Sequence, residues 1–581
     1  MLQSSSLRYK MGSSVLRIGC SFILCCLGLG GQTTASIVTI RGTSQLRGTI
    51  EYAINSTKPI QVFRAVPYAK PPVDAMRFKA PEDVEWWNGE RNASGASPIC
   101  PQQGMSSPLM KEDCLTLDIY TPTIDVNASL AIQIWIHGGA FKDGSSSEFQ
   151  GIAMATYENV IFISINYRLG ILGFLTSNSS EAPGNQGLWD QRQAFMWVKE
   201  NIKPFGGDPN KITISGESAG SIAVSAHILS PKTEGLFEQA ISQSGTATAA
   251  ARVSLMKQEL PKTQLLAQTI GCCTNCTISE LDGYMACLRN VTIEKILDLQ
   301  SYTTPQPVID NNYILDNPYN MYTQGKFKHV PYLIGFNGDE GANFYDKSIP
   351  SRSSLKELIK QYASDFYPEN VDAIVEVAVP LYVDGRDTDK DRAVALSDFI
   401  GDLRYIGPSN DVGRKYTQVA PTFMYRFAHR PSSSTRQQWA SAGHADEIQY
   451  TQGDPFVNHG SGSYTENEKI LSGQIMRYWA NFIKSGSPNS EDTPLQWSRF
   501  DCKEKGYLNI EQDGKFTSQK DYNVDRMFAW AETIPKLDSF RKNNQTTWKC
   551  DSTDTSRGAT LFSFNIQCVL LMVLVDLISW L

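Results

Sequence analysis

A serine between a strand-like run and a helical run is the feature that most constrains the fold of this chain. The run KITIS (211–215) is followed by GESAG (216–220) and then by the apolar run SIAVSAHIL (221–229). This is a G-x-S-x-G pattern in the strand–turn–helix context that gives the pattern chemical meaning. The glycines permit a turn tight enough for Ser218 to project from it, and the first N–H groups of the helix point toward any anion that forms beside this serine. The segment therefore predicts that Ser218 is a nucleophile.

The rest of the chain alternates between strand and helix patterns. Short apolar runs at 131–136, 160–165, 211–215 and 330–335 have the length of buried strands. Two longer amphipathic runs, 189–202 and 467–483, predict helices, and the second places apolar residues on one face (Leu471, Ile475, Tyr478, Trp479, Phe482). This alternation predicts an α/β fold with a large, mostly parallel central sheet flanked by helices. Because no linker divides residues 37–550, we predict a single domain, with irregular long insertions at 295–330 and 346–420.

Composition excludes several classes of protein. Of 581 residues, 41% are hydrophobic and 10% are aromatic, which is enough for a large core and excludes global disorder. The net charge of -7, without a basic block, argues against a nucleic-acid partner. The absence of an internal repeat excludes a solenoid or a fibre.

The first residues of the chain predict secretion. Residues 1–36 contain a basic region, a short apolar stretch (IGCSFILCCLGLG, 18–30) and a small-residue cleavage context. A membrane anchor is the alternative, but the stretch is too short to span a bilayer. We therefore interpret 1–36 as a signal peptide.

The last residues of the chain predict a glycolipid anchor. In 551–581 a small residue, Ser552, is followed by a polar spacer and an apolar tail with no basic segment after it, which is the order of a GPI-anchor signal. A spanning helix would bury Asn565, Gln567 and Asp576 in hydrocarbon, and this is costly. A soluble protein with an apolar tail is the third possibility. The prediction is an enzyme of the secretory pathway at the extracellular face of the membrane.

The cysteines and the glycosylation motifs agree with this extracellular location. Eight cysteines lie outside the two ends, namely Cys100, Cys114, Cys272, Cys273, Cys276, Cys287, Cys502 and Cys550. An even number in a secreted chain indicates disulfides, although the pairing is not fixed by the residues alone. N-x-S/T motifs predict glycosylation at Asn55, Asn92, Asn127, Asn178, Asn275, Asn290 and Asn544.

A nucleophilic serine needs a base and an acid that holds the base. With this type of serine turn the order along the chain is serine, acid, histidine, so the base is His429, His444 or His459. His444 is favoured, because it lies in a glycine–histidine loop, SAGHADEI, that can present an imidazole into a cleft. Asp339 and Glu340 follow a predicted strand, and one of them should orient the histidine. Activity should fall as the pH drops through the histidine pKa, about 6.5 when unperturbed.

Oxyanion donors are offered by HGGAF (137–141), which follows the predicted strand 131–136. Small residues there let backbone N–H groups approach a substrate. The C-x-x-C pattern at 273–276 has no second pair, and an oxidising compartment favours a disulfide over zinc. We therefore predict acyl-transfer chemistry with no metal and no cofactor.

A set of motifs carries a family resemblance. They are FRAVPYAKPP (63–72), EDCLTLDIYTP (112–122), IWIHGGAF (134–141), NYRLGILGFL (166–175), GNQGLWDQRQAFMWVKENIKPFGGDP (184–209), ITISGESAG (212–220) and ISQSG (241–245). With these motifs at these separations, the chain resembles the type-B carboxylesterase/cholinesterase family of α/β-hydrolases from about residue 40 to residue 548. It is closer to a carboxylesterase than to acetylcholinesterase.

The resemblance implies roles for individual residues. It makes Ser218, Glu340 and His444 the catalytic triad, and it makes the oxyanion hole from the N–H groups of Gly139, Ala140 and Ala219. It implies that Ser244 supports the acid, that Glu217 lies beside the nucleophile and that Arg64 forms a structural salt bridge with Glu112. It also implies a Cys100–Cys114 disulfide and a partner for Cys287 in Cys272 or Cys273.

Departures from the cholinesterase pattern bear on the substrate. The tryptophan that contacts choline is missing from the loop 101–113, and Asn343 occupies the position of a second choline-contacting aromatic. Aromatic residues remain at Phe141, Tyr167 and Phe344. Positions that hold bulky acyl-pocket aromatics in acetylcholine-selective relatives are matched by Ala251, Thr303 and Pro305, although Tyr302 could partly refill the space. These departures predict neutral esters with acyl groups larger than acetyl.

Three functions remain open at this point. The first is a membrane-tethered carboxylesterase for small-molecule esters, with a lipase for long-chain lipids as a variant of it. The second is a cholinesterase with a rebuilt choline site. The third is a catalytically silent adhesion ectodomain of the same fold, in which the nucleophile is typically lost. The sequence is also compatible with a homo-oligomer.

Overall fold

A computed structural model describes residues 36–249, 252–300, 305–344, 351–367, 370–457 and 464–537. The predicted signal peptide and anchor signal therefore lie outside the described residues and stay predictions, as does the domain division that depends on them. None of the helices in the described ranges is both long and apolar enough to cross a membrane.

The strands that the structure describes are short, and most are buried. They are β1 Ile37–Arg41, β2 Ser44–Arg47, β3 Thr49–Glu51, β4 Ile60–Pro67, β5 Gly89–Asn92, β6 Thr116–Thr121, β7 Leu130–Ile136, β8 Ile161–Ile165, β9 Thr176–Ser179, β10 Ala182–Pro183, β11 Gly207–Glu217, β12 Gln239–Gln243, β13 Ser254–Leu255, β14 Val308–Ile309, β15 Tyr332–Asn337, β16 Thr422–Phe427, β17 Gly506–Ile510 and β18 Phe516–Lys520.

The helices connect these strands or follow them. They are α1 Ile152–Glu158, α2 Gly170–Phe174, α3 Gln186–Asn201, α4 Ala219–Leu229, α5 Met256–Ile270, α6 Leu281–Arg289, α7 Ile293–Leu299, α8 Pro318–Thr323, α9 Arg352–Phe366, α10 Val371–Tyr382, α11 Asp389–Gly401, α12 Gly407–Tyr416, α13 Ile448–Thr451, α14 Glu466–Ser485, α15 Val524–Phe528 and α16 Ile534–Leu537.

An 11-stranded sheet in the order β18-β17-β16-β15-β12-β11-β7-β8-β6-β4-β3 forms the centre. From β17 to β8 neighbouring strands are parallel, whereas β18 at one edge and β6, β4 and β3 at the other pair antiparallel. The predicted α/β fold with a mostly parallel sheet is confirmed. The parallel block matters for function, because the carboxyl ends of parallel strands meet at one edge.

Both faces of the sheet are covered, which explains why its strands are apolar throughout. In β7, Ile132 and Ile134 pack into one core with residues of α3, α4 and α12. Trp135 of the same strand packs on the other face with α1 and α14. The predicted apolar face of α14 is buried there, including Ile475 and Trp479.

One interpretation of the chain organisation was wrong. The segment 346–420 has few strand signals and was expected to be irregular, but its described part is mostly helical, in α9, α10, α11 and α12. The helices bury apolar faces that the short, interrupted pattern hides, such as Leu355 and Ile359 in α9. The segment 295–330 carries only the short elements α7, β14 and α8 in its described part.

Candidate active site

Ser218 lies in the sharp turn between β11 and α4. Its backbone has φ 54° and ψ -118°, a conformation that costs a non-glycine residue about 1–3 kcal/mol and is typical of functional turns. The Ser218 N–H donates to the Gln243 carbonyl at 2.9 Å, which joins the turn to β12. A Cβ at Gly220 would lie only 2.0 Å from the Ile136 carbonyl oxygen, so this position requires glycine. Ser218 itself is partly exposed.

His444 and Glu340 come from two loops beyond Ser218. The His444 Nδ1–H donates to Glu340 Oε2 at 2.7 Å. The other ring nitrogen, Nε2, lies 3.2 Å from Glu217 Oε1, and Glu217 directly precedes Ser218. One imidazole nitrogen therefore faces a buried acid, and the other faces the nucleophile turn.

Glu340 is fixed at the end of β15 by three donors. Besides His444, the Ser244 hydroxyl donates to Glu340 Oε1 at 2.5 Å, and the Asn337 backbone N–H donates to the same oxygen at 2.7 Å. The carboxylate is 1% exposed, so these bonds replace its hydration. The alternative acid, Asp339, instead accepts from the Ser441 backbone N–H at 2.7 Å.

His429, one of the other two candidate histidines, takes no part in this arrangement. His429 packs on the Tyr450 ring with a centroid separation of 5.3 Å, and its Nε2 lies 3.6 Å from Glu468. His459 lies outside the described residues. Of the two candidates that the structure describes, His429 and His444, only His444 lies at the nucleophile turn.

The HGGAF segment packs against the nucleophile. A Cβ at Gly138 would lie 3.2 Å from the Ser218 Cβ, so the loop and the serine are in direct contact. Gly139 and Ala140 both have positive φ, 98° and 53°, and within the described ranges their N–H groups have no acceptor. The N–H of Ala219 is in the first turn of α4, where helix donors have no intrahelical partner. Three free donors therefore surround the serine.

Aromatic residues pack behind the HGGAF loop, the candidate source of oxyanion donors. The Tyr167 hydroxyl donates to the His137 carbonyl at 2.9 Å, and the two rings stack at 4.4 Å. Phe141 packs edge-on against Phe174 at 5.1 Å. Tyr167 and Phe141 are 0% and 2% exposed, so both rings support the loop, and their prediction as substrate contacts stays a prediction.

A sequence model of the carboxylesterase family matches residues 34–529. The chain belongs to the carboxylesterase family. The resemblance seen in the motifs is thereby confirmed. Carboxylesterase 1C of Rattus norvegicus is 34% identical over 509 residues, which are 83% of this chain and 90% of the relative. The pyrethroid hydrolase Ces2e of Rattus norvegicus is 32% identical over 546 residues, or 89% and 93% of the two chains.

One of the similar proteins is not named as an esterase or a hydrolase. Neuroligin-2 of Mus musculus is 33% identical over 552 residues. These residues are 82% of this chain but only 65% of neuroligin-2, so the match covers less than two thirds of that relative. Membership in the carboxylesterase family establishes the fold of this chain. An activity has to be argued from the residues of the site.

The His444 loop is surrounded by three residues that were not predicted from the sequence: Glu447, Asn337 and Tyr405. Glu447 is buried and accepts from the Gln243 side-chain amide at 3.1 Å and from the Asn337 amide. The Asn337 amide also donates to the Gly443 carbonyl at 2.7 Å. Tyr405 stacks on the His444 ring with centroids 4.2 Å apart. Glu447 follows closely after His444 in GHADE and could have been noticed, but nothing in the sequence marks Tyr405.

The cluster of acids shifts the titration of the site. Burial raises the pKa of the Glu217 carboxyl to about 8, Glu447 and Glu340 act in the same direction, and His444 opposes them. Burial disfavours a charge on the His444 imidazole. The facing groups Tyr405, Glu217 and Glu340 outweigh that effect and raise the pKa of this imidazole well above 6.5.

The pH dependence should reflect this raised pKa. A base must be neutral to accept a proton, so kcat/KM should fall as the pH drops through the pKa of His444 in the free enzyme. We expect the midpoint of this fall to lie above pH 6.5 in the wild type. In Glu217→Gln the midpoint should move to a lower pH, because this variant lacks the acidic group that favours the charged imidazole. Asp339→Asn, which changes a nearby carboxylate bound to Ser441, should leave the midpoint in place. A wild-type midpoint below 6.5, or one that Glu217→Gln does not move, would contradict this account.

The loop after Glu340 is polar where an aromatic binds choline in cholinesterases. The Asn343 amide donates to the His444 carbonyl at 2.8 Å, and its oxygen accepts from Arg436 Nε at 2.6 Å. Arg436 also pairs with Asp446 at 2.6 Å. These side chains line a cleft of about 600 Å³. Of the other predicted pocket residues, Pro305 is buried, whereas Ala251, Thr303 and the side chain of Phe344 lie outside the described residues.

Disulfides tie the loops around this core. Cys100 is bonded to Cys114, and Cys272 to Cys287. A third bond joins Cys273 to Cys276, the pair considered as a zinc motif. The predicted Arg64–Glu112 salt bridge was wrong: Arg77 contacts Glu112 at 2.6 Å, while Arg64 pairs with Glu51.

The N-x-S/T asparagines in the described residues are all exposed, and they are Asn55, Asn92, Asn127, Asn178, Asn275 and Asn290. Exposure is what an attached glycan requires. Asn544 and Cys550 lie outside the described residues.

Proposed function

We propose that this protein is a serine esterase that hydrolyses carboxylic esters through a covalent acyl-enzyme. One observation carries the proposal: the His444 imidazole is held by Glu340 at 2.7 Å while its other nitrogen faces the strained turn of Ser218. A nucleophile, an oriented base and free oxyanion donors are the three parts that acyl transfer needs. The names of two relatives, a carboxylesterase and a pyrethroid hydrolase, support the same class.

The geometry supports the following roles for these residues. His444 Nε2 takes the proton of the Ser218 hydroxyl as its oxygen attacks the ester carbonyl. The oxyanion that forms accepts hydrogen bonds from the N–H groups of Gly139, Ala140 and Ala219, and each such donor contributes roughly 10²–10³ in rate. His444 then protonates the leaving alcohol and later activates the water that releases the acid. Glu340 and Ser244 keep the imidazole in the correct tautomer and orientation.

The proposed alcohol site does not favour a cation. Asn343 replaces an aromatic face, and the charge of its partner Arg436 is already paired with Asp446. A quaternary ammonium would lose a cation–π interaction of about 0.5–2 kcal/mol. We propose neutral esters as substrates.

The proposed acyl site accepts more than acetyl. Ala251, Thr303 and Pro305 stand where acetyl-selective relatives have bulky aromatics. Each additional buried methylene is worth about 0.8 kcal/mol. Two more methylenes therefore favour butyryl over acetyl by roughly tenfold in kcat/KM.

A four-ester comparison tests both halves of this proposal. Acetylcholine, butyrylcholine and the uncharged isosteres 3,3-dimethylbutyl acetate and 3,3-dimethylbutyl butyrate vary acyl length and alcohol charge independently. We expect the neutral butyrate ester to have the highest kcat/KM and acetylcholine the lowest. Asn343→Phe should raise kcat/KM for the two choline esters relative to the neutral ones. If acetylcholine is the best of the four, the proposed substrate class is wrong, and the cholinesterase function applies.

The neuroligin relative supports a second candidate, a catalytically silent adhesion protein. The fold alone does not separate the two functions. An adhesion ectodomain has no use for a strained serine turn beside a histidine–carboxylate pair, and strain without a function costs stability. The arrangement of Ser218, His444 and Glu340 therefore favours the esterase.

We also propose that the enzyme is secreted and tethered to the outer membrane face by a glycolipid. The support comes from the ends of the sequence, the six exposed glycosylation motifs and the disulfides. Phosphatidylinositol-specific phospholipase C should release the esterase from intact cells into the medium. Mock-treated cells are the control. A surface protein that resists release and still contains a peptide from 561–581 would identify the tail as a transmembrane helix.

A further inference from the structure

Arg252, which follows β12 in the chain, carries a positive charge that no described carboxylate pairs with. The Nε atom of Arg252 is buried and makes no hydrogen bond. In the part of the chain that the structure describes, no carboxylate pairs with this guanidinium; only its backbone N–H is bonded, to the Ala249 carbonyl at 3.2 Å. The residue as a whole is partly exposed, so part of its side chain can be contacted by a ligand.

Arg252 belongs to the segment that supports the nucleophile turn. The segment leaves β12 at Ser244, whose hydroxyl donates to Glu340. At Gly245 an added Cβ would lie 2.8 Å from the Ser218 carbonyl oxygen. The Arg252 backbone N–H donates to the carbonyl of the buried residue Ala249 at 3.2 Å. Arg252 therefore follows, a few residues further along the chain, the strand end that positions the serine and the acid.

Tyr405 links Arg252 to the proposed base. Burial lowers the pKa of the Arg252 guanidinium, Tyr405 opposes that change, and the charge on Arg404 adds to it. The Tyr405 ring stacks on His444 with centroids 4.2 Å apart. The Arg252 charge is therefore within electrostatic reach of the tyrosine that contacts the proposed base.

An unpaired cation that is partly removed from water destabilises a fold. Proteins retain unpaired, partly buried charges mainly at functional sites, where a ligand supplies the missing partner. A guanidinium is a planar fork whose N–H groups match the two oxygens of a carboxylate. The missing partner of Arg252 is therefore best supplied by a carboxylate on the substrate.

We infer that Arg252 binds the far end of an acyl chain that carries a carboxylate, so that monoesters of dicarboxylic acids are substrates. This rests on the proposed esterase function and extends its acyl groups from neutral to anionic ones. We place the leaving alcohol on the side of Asn343, whose amide donates to the His444 carbonyl at 2.8 Å. The reaction itself is unchanged: the acyl group passes to the Ser218 oxygen, the alcohol leaves with a proton from His444, and water releases the dicarboxylic acid.

The test compares matched acyl chains on one alcohol. Mono-4-nitrophenyl glutarate and adipate are set against 4-nitrophenyl pentanoate and hexanoate, in the wild type, Arg252→Met and Arg252→Lys. We expect Arg252→Met to lower kcat/KM for the anionic esters by about 20-fold or more and for the neutral esters by less than about threefold, with Arg252→Lys in between. The matched control Arg41→Met, an exposed arginine near Glu200, should change neither series. Equal losses for both series, or none for either, would overturn the inference.

A third ester, 4-carboxyphenyl butyrate, carries its charge on the alcohol. It should respond to Arg252→Met as the neutral esters do. If Arg252→Met instead impairs this ester and leaves the adipate monoester unaffected, the assignment of Arg252 to the acyl side is wrong.

Two readouts do not depend on turnover. Glutarate should raise the Tm of the wild type and not that of Arg252→Met, and the unliganded variant should melt at the same temperature as the wild type or higher, because an unpaired charge is removed. A strong loss of Tm in Arg252→Met would show that the guanidinium holds the fold, which contradicts the inference. If neutral esters are hydrolysed in a Ser218-dependent way and Arg252→Met leaves kcat/KM for the anionic esters unchanged, this inference fails and the proposed function stands.

Discussion

Replacing Ser218 with alanine should lower kcat by about 10⁴-fold or more, toward the 10⁶-fold that removal of a triad serine typically costs. The serine oxygen is the atom that bonds to the acyl group, and no other hydroxyl occupies the turn between β11 and α4 in GESAG. The alanine variant should be secreted and folded. Alanine fits the space of serine, and the backbone strain at φ 54° is the same for both residues.

The measurement is kcat/KM for a neutral butyrate ester, with circular dichroism and Tm as folding controls. Ser221→Ala is a matched control, since Ser221 lies one turn further into α4 and donates to the Gly245 carbonyl at 2.6 Å. It should lose less than about tenfold in activity. An active Ser218→Ala variant would mean that the hydrolysis, if present, uses another nucleophile.

Replacing Glu340 with glutamine should lower kcat by about 10⁴-fold, the effect seen when the acid of a serine triad becomes an amide. The imidazole nitrogen Nδ1 now donates to Glu340. An amide NH₂ in that place favours the tautomer in which Nδ1 accepts and Nε2 carries the proton, and such an imidazole cannot take the proton of Ser218. Size and most packing are preserved, so the loss reports on charge and tautomer.

Asp339→Asn provides the matched control for this prediction. Both acids follow β15, both are bonded to neighbouring loops, and only Glu340 contacts His444. The asparagine variant should keep activity within a few-fold of the wild type. If Asp339→Asn loses the activity and Glu340→Gln keeps it, the roles of the two acids are reversed.

The nucleophile turn and the sheet were predictable because their signals are local. GESAG requires glycine where Gly220 approaches the Ile136 carbonyl, and a run such as AIQIWI fits a strand buried on both faces. The order serine, acid, histidine then narrowed the choice of base to three residues. The structure adds the contact that selects one of them, the bond between His444 and Glu340.

What the sequence could not reveal depends on long-range packing. Tyr405 reaches the His444 ring from a π-helical turn after α11, and no pattern within its own segment indicates this. The burial of Phe141 and Tyr167 behind the HGGAF loop likewise depends on contacts with Phe174 and His137. The partner of Arg64 was misassigned for the same reason.

The helical segment after residue 351 shows a related difficulty. Its helices are joined by short connections and carry narrow apolar faces, as in Leu355, Ile359 and Ala363 of α9. A narrow face gives a weak periodic signal in a single sequence. Packing against the tertiary core stabilises these helices, and the local sequence pattern does not indicate this contribution.

Labelling with a fluorophosphonate, followed by peptide mass spectrometry, tests the central claim most directly. This reagent phosphonylates only a serine that is activated by a base and flanked by oxyanion donors, so it distinguishes an esterase from an adhesion protein of the same fold. We predict one adduct per chain, on the peptide containing Ser218, formed in step with the loss of esterase activity and abolished in Ser218→Ala and Glu340→Gln. An unlabelled wild-type protein, or an adduct on a residue other than Ser218, would contradict the account.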